Sequence, residues 1–199
     1  MATKNVPLTK GQYYHIFNRA VSKNLLFREE HNYPFFLSKV ERYILQEAEL
    51  HAYCLMPNHY HFILKLTSEQ ISIAMQRTAL SYAKSYNLVY RQKGHLFQGR
   101  FQRIHITDLN YLLHLSRYIH LNPVKAQLVQ NAEDWEYSSY QEYIGIRSSE
   151  YIKTGSILNL SSNNPHDSLD SMQQEYKKFV ELWEFDYMEF KLRKVHPVS

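Results

Sequence analysis

Two histidines one residue apart, His59 and His61, lie in a stretch that alternates between ring or aliphatic and polar side chains. On a β-strand, side chains two apart share a face, so the two imidazoles project together and can share one ligand. Tyr60, Phe62, Leu64 and Leu66 claim the buried side, which leaves the histidines on the face where a metal ion or a phosphate can approach. The pair alone is a weak signal, because a chain with 11 histidines produces such a spacing by chance.

A helix expected from Thr107 or Asp108 to Asn122 adds further chemistry. Leu109, Leu112, Leu113 and Ile119 mark its core face, while Tyr111, His114, Tyr118 and Asn122 fall along another stripe. A phenol, with an ordinary pKa near ~10, is a poor nucleophile until a nearby cation stabilises the phenolate or the phosphate it attacks. Asn122, one turn beyond Tyr118, can direct its amide oxygen at a metal held by His59 and His61, giving two nitrogen ligands and one oxygen. It can equally satisfy carbonyls at the end of its own helix before Pro123, and Tyr111 is a rival nucleophile on the same stripe.

The elements that must position these residues follow from periodicity. Alternation predicts a first strand over residues 12–21, and apolar recurrence at Phe36, Val40, Tyr43 and Ile44 predicts a helix over 32–47 with Asn32 as N-cap. A hairpin follows, in which Leu50, Ala52, Cys54 and Met56 alternate with His51, Tyr53 and Leu55, and Pro57-Asn58 forms the turn. Ile71, Met75, Thr78, Tyr82 and Tyr86 stripe a long helix over 68–91, which Gly94 ends, and residues 95–106 read as a strand distorted at Gly99. Pro123 is expected to stop the next helix. This order predicts an α+β fold, a ferredoxin-like split βαβ antiparallel sheet with a helix added after the last core strand. Residues 1–146 are read as the main unit and 147–199 as an extension, with a Ser- and Asn-rich linker over 149–167 and a final helix over 169–192.

Bulk properties narrow the partners. No apolar run approaches the ~18 residues that cross a bilayer, and Met-Ala-Thr-Lys-Asn-Val-Pro lacks a signal-peptide layout, so a cytoplasmic protein without membrane contact is expected. The lone Cys54 has no disulfide partner, which suits a reducing compartment and a small buried hydrophobe. A net charge of +4 is compatible with a polyanionic partner. Arg77, Lys84 and Arg91 recur every seven residues, with Arg100 and Arg103 on the next strand, as either a phosphate-binding track or a solvated face. The 17 Tyr and 10 Phe supply rings that mostly build core and in part could stack on unpaired bases.

Met56-Pro57-Asn58-His59-Tyr60-His61-Phe62-Ile63-Leu64, taken with Tyr118-Ile119-His120-Leu121-Asn122-Pro123-Val124-Lys125-Ala126, resembles the HUH-type single-strand tyrosine transposases. The resemblance extends to Gly94-His95-Leu96-Phe97-Gln98-Gly99-Arg100-Phe101 and Trp135-Glu136-Tyr137-Ser138-Ser139-Tyr140, which are similar to the subgroup associated with repetitive extragenic palindromes (REP). It covers roughly residues 10–145. It implies that residues 1–146 are a catalytic domain, that Tyr118 is the nucleophile, that His59 and His61 are metal ligands, and that Asn122 is the third ligand. The implied activity is nicking and rejoining of single-stranded DNA at hairpin or palindromic ends through a 5′-phosphotyrosine, with Mg²⁺ or Mn²⁺ as the cofactor and a homodimer left open. The competing expectation is a DNA- or RNA-binding protein on the same fold that does not cut. A structural zinc site would need more ligands than two histidines.

Overall fold

The computed structural model describes residues 6–22, 24–162, 164 and 166–182. Its centre is a four-stranded antiparallel sheet of β1 (Tyr13–Arg19), β2 (Ala48–Met56), β3 (His59–Leu66) and β4 (Gln102–Ile106), in the order β2-β3-β1-β4. Helix α1 (Asn32–Lys39), extended by a π-helical turn over Val40–Ile44, connects β1 to β2, and α2 (Ile71–Val89) connects β3 to β4. This is the split βαβ arrangement expected from the pattern. Each connection crosses one strand, so β1 and β3 lie side by side at the centre and bring Arg19 opposite His59 and Phe17 opposite His61.

Both faces of the sheet are covered. Tyr14, Ile16, Tyr60, Phe62 and Leu64 pack against Phe36, Val40 and Ile44 on one side, together with Ile71, Met75, Tyr82 and Tyr86 of α2. The expected α2 stripe is buried throughout, including Thr78, whose hydroxyl bonds back to the Ala74 carbonyl at 2.9 Å. The helix ends at Val89, earlier than expected, because Arg91 takes the left-handed conformation (φ 51°) that terminates helices. Asn32 does not cap α1. His31 occupies that position, and Asn32 Oδ1 accepts from the backbone N–H groups of Arg28 and Glu29 at 2.9 and 3.1 Å.

On the opposite face lies α3 (Leu109–Lys125), joined by α4 (Tyr140–Tyr143), α5 (Gly155–Ser161) and α6 (Leu169–Glu181). Asp108 caps α3 as expected, its Oδ1 accepting from Asn110 and Tyr111 N–H at 2.7 and 3.1 Å. Pro123 does not stop the helix. Proline cannot donate to the carbonyl four residues back, and Asn122 Nδ2 supplies that bond to Ile119 O at 3.4 Å while also donating to Tyr118 O at 2.9 Å. Leu109, expected in the core, is exposed at the first turn.

A register shift between Leu50 and Ala52 breaks the expected alternation in β2. Leu50, Tyr53 and Leu55 therefore face α1 and α2, and Ala52, Cys54 and Met56 face α3. The strand expected over 95–106 is confined to β4; the chain before it is a loop whose Gly99 carbonyl accepts from Asn18 Nδ2 at 3.1 Å. The stretch read as a linker carries α5, which buries Ile157 and Leu158, and α6 buries Tyr176 and Val180 beside α3. The expected continuation of α6 past Leu182 lies outside the described residues.

Candidate active site

His59 and His61 open β3, immediately after the Pro57-Asn58 turn, and their rings meet edge-on with centroids 4.9 Å apart. Both belong to the sheet face that α3 covers. Tyr118, from the middle of α3, stands edge-on to His61 with ring centroids 6.1 Å apart. Asn122 is one turn further along the same helix. The histidine face, expected to be open, is closed by this helix: His61 is 4% exposed, and Tyr118 and Asn122 are 2% exposed each.

Each histidine is held through Nδ1. His59 Nδ1 is 2.6 Å from Asn58 Oδ1, and His61 Nδ1 is 2.9 Å from Nε2 of His15 on β1. His59 Nε2 is consequently buried with no hydrogen-bond partner among the described residues. Burial, with a smaller contribution from the Arg19 guanidinium, lowers the His59 pKa to about 4, so the imidazole is neutral at pH 7 and able to ligate. With its Nδ2 committed to helix carbonyls, Asn122 has its oxygen turned away from them. Two imidazole nitrogens and one amide oxygen form a donor set suited to a divalent ion. Among the described residues, no group of three or more His, Cys, Asp and Glu side chains could hold a metal, so an ion on the two histidines would need Asn122 or the substrate as a further ligand.

Lys125 lies beside the candidate nucleophile, with its Nζ 5.1 Å from the centre of the Tyr118 ring. Tyr111, the rival, starts the same helix two turns earlier and is partly buried, with its pKa pushed up to about 12 by desolvation. His114 turns away from the pair, with its Nδ1 3.0 Å from Arg117 Nη2 and its ring against Phe179.

The five basic residues separate. Lys84, Arg100 and Arg103 line a groove of about 830 Å³ between α2 and the 94–103 segment, whose walls include Leu80, Phe97 and Phe101. Arg103 is anchored there by donation from Nε to the Val6 carbonyl at 2.8 Å. Arg77 and Arg91 do not line it; Arg91 follows α2 instead of continuing its face, and Arg100 precedes β4. The groove lies on the α2 side of the sheet. Even so, it adjoins the histidine end of the sheet, because Asn18 lines it and the next residue, Arg19, pairs with His59.

Two features escaped the sequence reading. His15 looked like one more alternating residue of a first strand, and alternation assigns it a face without naming the residue it meets there. The second is a relay under α3: the Tyr176 hydroxyl is 2.8 Å from both Ser116 Oγ and His120 Nδ1, and His120 Nε2 is 2.8 Å from Ser139 Oγ. Burial lowers the His120 pKa to about 3.

Comparison with known proteins gives the family and the fold. The family model for IS200-like transposases matches residues 9–122, a span that includes every candidate metal ligand and Tyr118. A Haemophilus influenzae protein named as a REP-associated tyrosine transposase is 32% identical over 101 residues, which cover 45% of this chain and 57% of that protein. The chain thus aligns with little more than half the length of that relative. A solved structure of a REP-associated tyrosine transposase bound to a REP hairpin superposes with a TM-score of 0.63 at 17% identity, over 77% of this chain and 98% of the other. The α+β fold is shared with it.

Proposed function

This chain belongs to the IS200-like transposase family, and on that premise we propose that it nicks and rejoins single-stranded DNA beside hairpins, using Tyr118 as the nucleophile. The observation that carries the reading is the meeting of Tyr118 with His61, two residues distant in sequence whose rings the fold sets 6.1 Å apart. The hairpin is taken from the similar protein solved on a REP hairpin. On this reading the protein works in the cytoplasm. Among the described residues no helix is long and apolar enough to cross a membrane.

In the reaction, the Tyr118 hydroxyl oxygen attacks the scissile phosphorus. The Tyr–O–P bond forms as the bond from phosphorus to the 3′-oxygen breaks; the phenolic proton leaves to solvent, and the released 3′-oxygen takes one up. The ester is exchanged and not hydrolysed, so the free 3′-hydroxyl of another end can reverse the step without a nucleotide cofactor. Lys125 places positive charge beside the phenol where negative charge develops. His59, His61 and Asn122 would hold a divalent ion, Mg²⁺ or Mn²⁺, which supplies positive charge to the phosphate oxygens. Lys84, Arg100 and Arg103 attract the DNA backbone along the neighbouring groove. The burial of Tyr118 favours a second reading, a nucleic-acid-binding protein that does not cut, since a phosphate reaches the phenol only when the contacts around α3 open.

Labelled hairpin-bearing single strands incubated with a divalent ion separate the two readings. The native chain and Tyr111→Phe form a covalent protein–DNA adduct and Tyr118→Phe forms none, while all three bind the DNA alike; the duplex form yields no adduct. Undiminished adduct from Tyr118→Phe removes that residue from its role. Tight binding with no adduct from any strand favours the non-cutting protein.

A further inference from the structure

His15 sits in the middle of β1 with none of its surface exposed. Burying an imidazole in a sheet is costly unless it is hydrogen-bonded. Its Nε2 lies 2.9 Å from Nδ1 of His61, with the two ring planes 21° apart, and Phe17 stacks on it with centroids 4.8 Å apart. The bond between these imidazoles carries one proton, and its direction decides what His61 can do. If His15 donates, a neutral His61 holds its proton on Nε2 and has no lone pair there. If His61 donates from Nδ1, its Nε2 lone pair is available.

We propose that His15 is a positioning residue: it accepts the Nδ1 proton of His61 and so selects the tautomer in which His61 Nε2 ligates the divalent ion. The inference rests on reading His59 and His61 as metal ligands. His59 shows the same device in a simpler form. Its Nδ1 faces the amide oxygen of Asn58 at 2.6 Å, an atom that can only accept, so the ring is locked with Nε2 as the ligating nitrogen. At His61 the same position is taken by a second imidazole, held flat by Phe17 and the strand, whose accepting nitrogen makes the corresponding choice. Outer hydrogen bonds of this kind set the orientation and basicity of a ligating histidine.

Mn²⁺ binding to the full chain, measured without DNA by electron paramagnetic resonance of the free ion, tests the assignment. His15→Leu, which removes the acceptor, weakens Mn²⁺ binding by roughly 10- to 100-fold. His15→Gln, whose amide oxygen can accept the same proton, recovers most of it. Affinity for hairpin DNA in chelator stays unchanged in both. Native Mn²⁺ affinity in His15→Leu, where His61→Ala loses it, overturns the role of His15 alone. Native affinity in both His59→Ala and His61→Ala overturns the metal reading and the inference with it. Imidazole ¹⁵N spectra of the unsubstituted chain decide the tautomer even where a variant fails to fold: a proton on His61 Nδ1 supports the proposal, and one on Nε2 overturns it.

Discussion

The two faces of the sheet are buried by different kinds of side chain. Toward α1 and α2 the contacts are rings and aliphatics, with Phe36, Tyr60, Phe62 and Tyr82 at the centre, and the tyrosine hydroxyls reach backbone at the rim, as Tyr86 does to Leu25 O at 2.7 Å. Toward α3 the sheet presents His15 and His61, and the helix answers with Ser116, Arg117, His120 and Asn122, each 8% exposed or less. A polar core is harder to satisfy than an apolar one, since each buried group needs a partner or carries a desolvation penalty. One face is therefore held almost wholly by apolar contacts, and the other sets buried polar groups among its apolar ones.

That contrast breaks most visibly under truncation. Phe62→Ala empties the apolar face and is expected to cost about 3–5 kcal/mol of stability. It leaves the chemistry of whatever protein remains folded unchanged. His61→Ala is expected to leave the chain folded, destabilised chiefly by loss of the contact with His15, and to lower divalent-dependent adduct formation by roughly 10²-fold or more. Urea unfolding midpoints and adduct yields on the same samples check both. Comparable losses in both assays from both variants would erase the division between the faces.

Acid sharpens the comparison, because among the described residues the polar face holds imidazoles kept neutral by burial. Desolvation lowers the pKa of His120 to about 3 and lowers that of His51 as well, opposed in the latter by Glu49. Both sit below the unfolded value of 6.5. As pH falls through that value the unfolded chain takes up protons that the native chain refuses, so stability is fully present above it and declines below it. For His120 the decline continues toward pH 3, at about 1.4 kcal/mol per pH unit, or roughly 2 kcal/mol by pH 5. Unfolding free energies between pH 7 and 5 measure it, and His120→Gln should flatten the slope. An unchanged slope in that variant would place the acid sensitivity elsewhere.

The apolar face was legible from sequence and much of the polar face was not. Ile71, Met75, Thr78, Tyr82 and Tyr86 announce their burial by period, because the hydrophobic effect acts on each residue separately and leaves a stripe. The pairing of His59 with His61 follows from strand alternation for the same reason. Partners across the fold leave no such trace. That His15 meets His61, or Tyr176 meets His120, depends on strand order and on a helix placed in a segment that reads as linker. Pro123 misled for a local reason: Asn122 replaces the missing hydrogen bond, and nothing in the residue types announces that substitution.

The smallest effect concerns the groove on the apolar side. If that side binds DNA while the other side reacts, then Lys84 and Arg100, which line the groove, contact phosphate, whereas Arg77 and Arg91, which do not, remain solvated. Each phosphate contact on a single strand contributes about 0.7 to the slope of log affinity against log salt. Lys84→Gln with Arg100→Gln should lower the slope by up to about twice that amount. Arg77→Gln with Arg91→Gln should leave it nearly as it was. The rate of adduct formation at saturating DNA should be the same in both pairs, because neither touches His59, His61 or Tyr118. Hairpin binding titrations at several salt concentrations give the slopes directly. Equal flattening by the two pairs would return all five cations to one diffuse electrostatic surface and detach the groove from substrate binding.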